Sequence, residues 1–342
     1  MKKNSLLGVA IAFIATAVIV GFVYYTGRQR KPLVYSHIPL LTVNWTELLK
    51  TFNTLNISIV DKGPFNWDNK DDFGQAPETD WQKVDTDPYF IVYYKNDAMH
   101  LNVQNARRVL QIANETIPEM QELMGNYPFP DVCNDRKLAI YITSTPVEYQ
   151  ATIDKLYGDR CNSSGSVGMF ICHIGPLGCL ADGIVLNPIC FDYESNPQNW
   201  AESVLRHEMN HFVFFHSLDY SQELNHPLWV AEGLAEYFCL HRGQIEGKDS
   251  IDYIANNCKL LEEFPMSSQS EYWAGRSFYQ FVEDTKGKLE VKDFIQHLYT
   301  NNLETTLGLS FDNVAIVDSL WVKDMYERTA VADSLAAQTP AI

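Results

Sequence analysis

Trp200-Ala201-Glu202-Ser203-Val204-Leu205-Arg206-His207-Glu208-Met209-Asn210-His211-Phe212-Val213-Phe214-Phe215 decides the reading of this chain. Residues four apart on a helix share a face, so His207 and His211 stand side by side. Two imidazoles so placed can bind one zinc ion through nitrogen at about 2.0–2.1 Å. Glu208 sits beside the first of them, within reach of a water at that metal. Phe212, Val213 and Phe215 supply apolar surface to bury the helix.

A second helix is predicted just downstream. Leu228-Trp229-Val230-Ala231-Glu232-Gly233-Leu234-Ala235-Glu236-Tyr237-Phe238 follows Pro227, a residue suited to a first helical turn. Glu232 and Glu236 are again four apart. A catalytic zinc needs a third protein ligand that leaves one position open. A ligating imidazole needs a carboxylate behind it to orient the ring. The two glutamates match these two needs.

Outward from this core the pattern changes. Tyr89-Phe90-Ile91-Val92-Tyr93-Tyr94 and Leu138-Ala139-Ile140-Tyr141-Ile142 read as strands. Gly168–Cys172 and Gly183–Leu186 are shorter strand candidates. Val103–Met124 carries apolar residues at helical spacing, with Pro118 as a place to kink or stop. Residues 61–87, rich in Asp, Asn, Pro and Gly, read as loop. From Trp200 onward the pattern is mostly helical. Strands first and helices after predict an α+β fold: a small mixed sheet with a helix packed on it, the zinc helix, then a mostly helical lower half.

The motifs resemble those of the gluzincin metallopeptidases, the clan of thermolysin and the M1-type aminopeptidases. HExxH is followed by Trp229-Val230-Ala231-Glu232-Gly233-Leu234-Ala235-Glu236-Tyr237, with 20 residues between His211 and Glu232. The resemblance implies that His207, His211 and Glu232 bind zinc, one ion per chain, and that Glu208 is the general base. It implies that Glu236 orients a ligand from one turn further on. Tyr272-Trp273-Ala274-Gly275 resembles the Tyr-x-x-Gly of the aminopeptidase branch, which makes Tyr272 the candidate to steady the oxyanion. The Gly-x-Met-Glu-Asn signature of those exopeptidases is missing from the sequence. Such domains also place an edge strand before the zinc helix, and Gly183-Ile184-Val185-Leu186-Asn187 fits that slot as the strand to which an extended substrate would add.

Composition narrows the partners. The chain has 342 residues and a net charge of −17. All five charges in residues 1–31 are basic, so the remainder carries −22. A body that acidic repels phosphate backbones, which argues against nucleic acid. Leu6–Tyr25 is 20 residues without a charge, long enough as a helix to cross a bilayer once. A cleaved signal peptide, with Ala15-Thr16-Ala17 as its processing site, is the alternative, giving a secreted form. Seven cysteines lean towards an extracytoplasmic body. Four sequons, at Asn44, Asn56, Asn114 and Asn162, would matter in a secreted eukaryotic protein.

The expected layout is a basic stub and membrane anchor (1–31), an N-terminal segment with the acidic loop (32–87), a catalytic domain (88–330) and a tail (331–342). The expected function is a membrane-anchored zinc metallopeptidase acting on a peptide or protein substrate. The alternative is a gluzincin-like module at the membrane that binds zinc and assembles without cleaving.

Overall fold

The computed structural model describes residues 81–338, leaving aside 96–100, 126–136, 158–165, 176–177, 192–199, 220–223, 225, 240–246 and 265–269. The chain divides into two compact units, Met1–Lys62 and Gly63–Ile342, and every described residue lies in the second.

Five strands form one mixed sheet in the order β1-β2-β3-β5-β4. They are β1 (Trp81–Val84), β2 (Phe90–Lys95), β3 (Leu138–Ile142), β4 (Gly168–Gly175) and β5 (Gly178–Leu186). β2, β3 and β5 run parallel, while β1 and β4 are antiparallel to their neighbours at the two edges. Alternation along the strands sends residues to two faces. Phe90, Val92, Ile140, Ile142, Ile184 and Leu186 join the large core; Ile91, Tyr93, Tyr141 and Val185 join a smaller one.

Helix α1 (Leu101–Met124) covers the large-core face and runs on through Pro118. Its buried row of Val109, Ile112, Ile117, Met120 and Leu123 holds it there, which outweighs the hydrogen bond a mid-helix proline removes. Helix α2 (Pro146–Tyr157) covers the other face with Tyr149, Ile153 and Leu156. Helices α3 (Trp200–Ser217), α4 (Leu228–Phe238) and α5 (Lys248–Asn257) follow. A single π-turn, Ser270–Ala274, leads into α6 (Gly275–Lys286). Then come α7 (Lys288–Leu298), α8 (Leu303–Ser310) and α9 (Val317–Gln338).

Several expectations are corrected. Among the described residues no helix is long and apolar enough to cross a membrane. The single-pass anchor therefore has no place in the fold or localisation described here, and Leu6–Tyr25 lies outside the described residues. Trp81–Val84, read as loop, is the edge strand β1; four residues beside Asp and Pro are too few for alternation to register. The tail expected from residue 331 continues α9 to Gln338. The cysteines whose state is described, Cys172, Cys190, Cys239 and Cys258, are all free thiols. The sequon asparagine Asn114 lies inside α1, with its amide donating to Asp87 Oδ2 at 2.7 Å and to Leu110 O at 2.9 Å. Asn44, Asn56 and Asn162 lie outside the described residues.

The strand assigned to the substrate edge is also corrected. Ile184, Val185 and Leu186 pair with β3 on one side and with β4 on the other, so this stretch is interior. Asn187 follows it and donates its N–H to Val167 O at 3.0 Å. Gly183 has φ 153°, and a Cβ there would meet Ala139 O at 2.8 Å. Among the described residues β4 is the edge on this side of the sheet, because the β4–β5 hairpin lays one more strand outside the one that precedes the helix.

Candidate metal centre

The centre is built where α3 packs against α4. His207, Glu208 and His211 are buried in α3, each less than a tenth exposed. Arg206 anchors the helix one residue earlier: it pairs with Glu119 of α1 and lies over the Phe238 ring of α4 at 4.9 Å.

Three donor atoms converge. Glu232 Oε2 is 3.2 Å from His207 Nε2 and 3.3 Å from His211 Nε2, and the two Nε2 atoms are 3.0 Å apart. Ligands about 2.0–2.1 Å from a tetrahedral metal lie about 3.3–3.4 Å from one another. The observed spacings are close to one face of such a tetrahedron, which leaves the fourth vertex to a non-protein ligand. Among the described residues this is the one group of three His, Cys, Asp or Glu whose donors meet in this way.

Glu236, one turn after Glu232, does not join the three. Its Oε1 accepts from His207 Nδ1 at 3.1 Å. A proton on Nδ1 leaves the Nε2 lone pair facing the cluster, the tautomer a metal needs. His211 Nδ1 is buried with no hydrogen-bond partner among the described residues. The two ligands are thus unequally oriented.

The electrostatics suit a cation. Burial works against ionising Glu232, but the imidazoles of His211 and His207 beside it hold its carboxyl well below the usual carboxylate range. Burial also works against charge on His207, and contacts with Cys239, Glu232 and Glu236 overturn that and raise it. Protons or a divalent ion can satisfy this set of donors, and metal binding releases the protons.

Glu208 points elsewhere. Its Oε2 accepts from the backbone N–H of Phe170 in β4 at 2.6 Å. Burial pushes its carboxyl up. Cys190 lies near it, and burial together with the Glu208 charge pushes that thiol up to about 12. Cys190 donates to Val167 O at 3.0 Å and is chemically inert there.

Tyr272 is brought to the cluster from the π-turn, its ring 5.7 Å from that of His207. A close approach puts it there. A Cβ on Gly233 would sit 2.4 Å from the Gly275 backbone, and one on Gly275 would sit 2.7 Å from both Gly233 Cα and Trp229 O. Only two glycines let α4 and α6 touch so closely.

Two other histidines are held elsewhere by backbone carbonyls. His226 Nε2 donates to Leu298 O at 2.9 Å, and His216 Nδ1 donates to Phe212 O at 2.8 Å. Sequence reasoning missed Arg206, the Phe170 N–H and Cys239. Cys239 caps α4, donates to Glu236 O at 3.1 Å and lies 3.8 Å from Glu236 Oε2. The glycines at 233 and 275 were the legible signal for the helix contact, since glycine inside a helix weakens it unless space demands it.

A scan against protein-family models finds no match for this chain, and a search of curated proteins finds none either.

Proposed function

We propose that this protein is a zinc metallopeptidase of the gluzincin type, hydrolysing peptide bonds. The observation that carries the reading is the convergence of His207, His211 and Glu232 donors within 3.3 Å, with Glu236 behind His207. His207, His211 and Glu232 would hold the ion. Zinc bound there supplies a Lewis acid that polarises a carbonyl and brings the acidity of water towards neutrality.

The chain's own residues do the rest. Glu208 is not among the three converging donors, so its carboxylate stays available to move a proton. It takes that proton from the attacking water and delivers it to the leaving amine nitrogen. Glu236 holds the proton on His207 Nδ1 and so fixes the ring. Tyr272, its ring 5.7 Å from that of His207, offers a phenol to the developing oxyanion. The outer edge of β4 offers backbone groups to an extended peptide. Burial of Glu208 and both histidines limits bulk solvent around the reacting groups while the attacking water is held among them.

Glu208→Gln tests the reading. The variant should bind zinc as tightly as the wild type and cleave no peptide in a mixed-sequence library. Full cleavage by Glu208→Gln would remove Glu208 from the mechanism.

A further inference from the structure

We propose that the main-chain N–H of Phe170 is a positioning donor for Glu208 that an extended peptide takes over when it pairs with β4; this rests on the peptidase reading above. Two contacts locate the device. Glu208 Oε2 accepts from Phe170 N at 2.6 Å. The same carboxylate lies against Gly168, where an added Cβ would come within 3.3 Å of Glu208 Oε1. The edge strand therefore closes directly on the carboxylate through backbone, at a residue with no side chain and at its neighbour two positions on.

The Asn187 N–H donates to Val167 O, so alternation along the antiparallel ladder turns the N–H of Phe170, opposite Ile184, away from β5, and it goes to Glu208. It therefore points to the side of β4 where, among the described residues, no further strand follows. A peptide adding to that side needs the outward N–H groups for its own carbonyls. One N–H serves one strong acceptor, so Glu208 and a substrate carbonyl compete for it. A carboxylate oxygen that already accepts a short charge-assisted hydrogen bond is a poorer proton acceptor. A peptide too short to reach β4 leaves the bond in place. A longer one puts its carbonyl on the N–H and frees Oε2 for proton transfer. Pairing energy then appears in kcat rather than in KM alone.

The test uses the zinc-loaded full chain and two substrates with the same scissile bond, a minimal blocked dipeptide and an extended peptide. The wild type should turn over the extended one about tenfold faster in kcat. Phe170→Pro deletes the N–H at an outward edge position, where proline is tolerated; it should raise kcat on the dipeptide and bring the ratio near unity. Phe170→Leu keeps the N–H and loses the ring that packs on Phe212 at 5.9 Å; it should keep the ratio. A ratio unchanged by Phe170→Pro, or equally lost in Phe170→Leu, would overturn the proposal.

Hydrogen exchange at the Phe170 amide reads the same device without turnover. Glu208→Ala should speed exchange at least about tenfold, and a non-cleavable extended peptide should slow it again. If no peptide is ever cleaved but this pattern holds, the activity reading fails and the backbone donor stands. If Glu208→Ala leaves the exchange unmoved, the donor falls whatever the enzyme cleaves.

Discussion

Helix α4 makes two contacts that work by opposite means. Against α3 it presents charged side chains: Glu232 and Glu236 reach the imidazoles of His207 and His211. Against α6 it presents bare backbone at the crossing point, where Gly233 meets Gly275, with the rings of Trp229 and Tyr237 packing on Phe278 and Tyr279 to either side. The first contact sets which atoms can hold an ion. The second sets where Tyr272 stands beside them. The ligand set follows from spacing within two helices, whereas the tyrosine depends on how closely two helices pack.

Breaking the glycine contact should have the largest effect. Gly275→Val forces backbone apart at a crossing that admits not even a Cβ, and should cost about 3 kcal/mol in chemical denaturation. Zinc affinity of the folded fraction should change little, since no ligand moves with α6. A variant that lost zinc in proportion to stability would show the two contacts to be one unit. Tyr272→Phe asks the same question without strain. It should lower kcat about a hundredfold with KM nearly unchanged, as removal of an oxyanion donor does.

Glu236→Gln attacks the other contact. It should weaken zinc binding by roughly ten- to a hundredfold, measured against a competing chelator, while the metal-free protein keeps its fold in circular dichroism. Combined with Tyr272→Phe, the effects on kcat/KM should add if the contacts are independent.

The smallest effect lies at the far end of α3. Burial holds His216 down to about 4, against 6.5 for the exposed side chain. Between those values the unfolded chain binds the proton and the folded one does not, so stability rises with pH there. The stability is complete above about pH 6.5 and is lost as pH falls towards 4. His216→Gln should flatten this acid limb by about 1–3 kcal/mol, read from Tm between pH 4 and 7. Burial lowers His226 in the same direction, so a residual slope should remain.

The legible parts of the sequence were those fixed by short-range periodicity. His207 with His211 and Glu232 with Glu236 each lie one helical turn apart, so any helix over those stretches brings each pair together. β2 and β3 are buried apolar runs of the kind that read as strands. Long-range choices were not legible. Ile184–Leu186 looks like an edge because it precedes the helix, yet only the pairing of Gly168–Phe170 beyond it shows which strand is last. The partner of Glu208 is a backbone N–H, a group every residue but proline carries, so no residue type announces it. The helix over Pro146–Tyr157 gives only a faint apolar period, because Tyr149, Ile153 and Leu156 are the apolar residues it buries while Val147 lies exposed.

The central claim is that the three converging donors hold zinc. Elemental analysis of the purified full chain, wild type beside His211→Ala, addresses it without assuming any activity. The account predicts about one zinc per chain in the wild type and none retained by the variant. Wild-type protein that stays metal-free after incubation with excess zinc, and melts at the same temperature with and without it, would contradict the account.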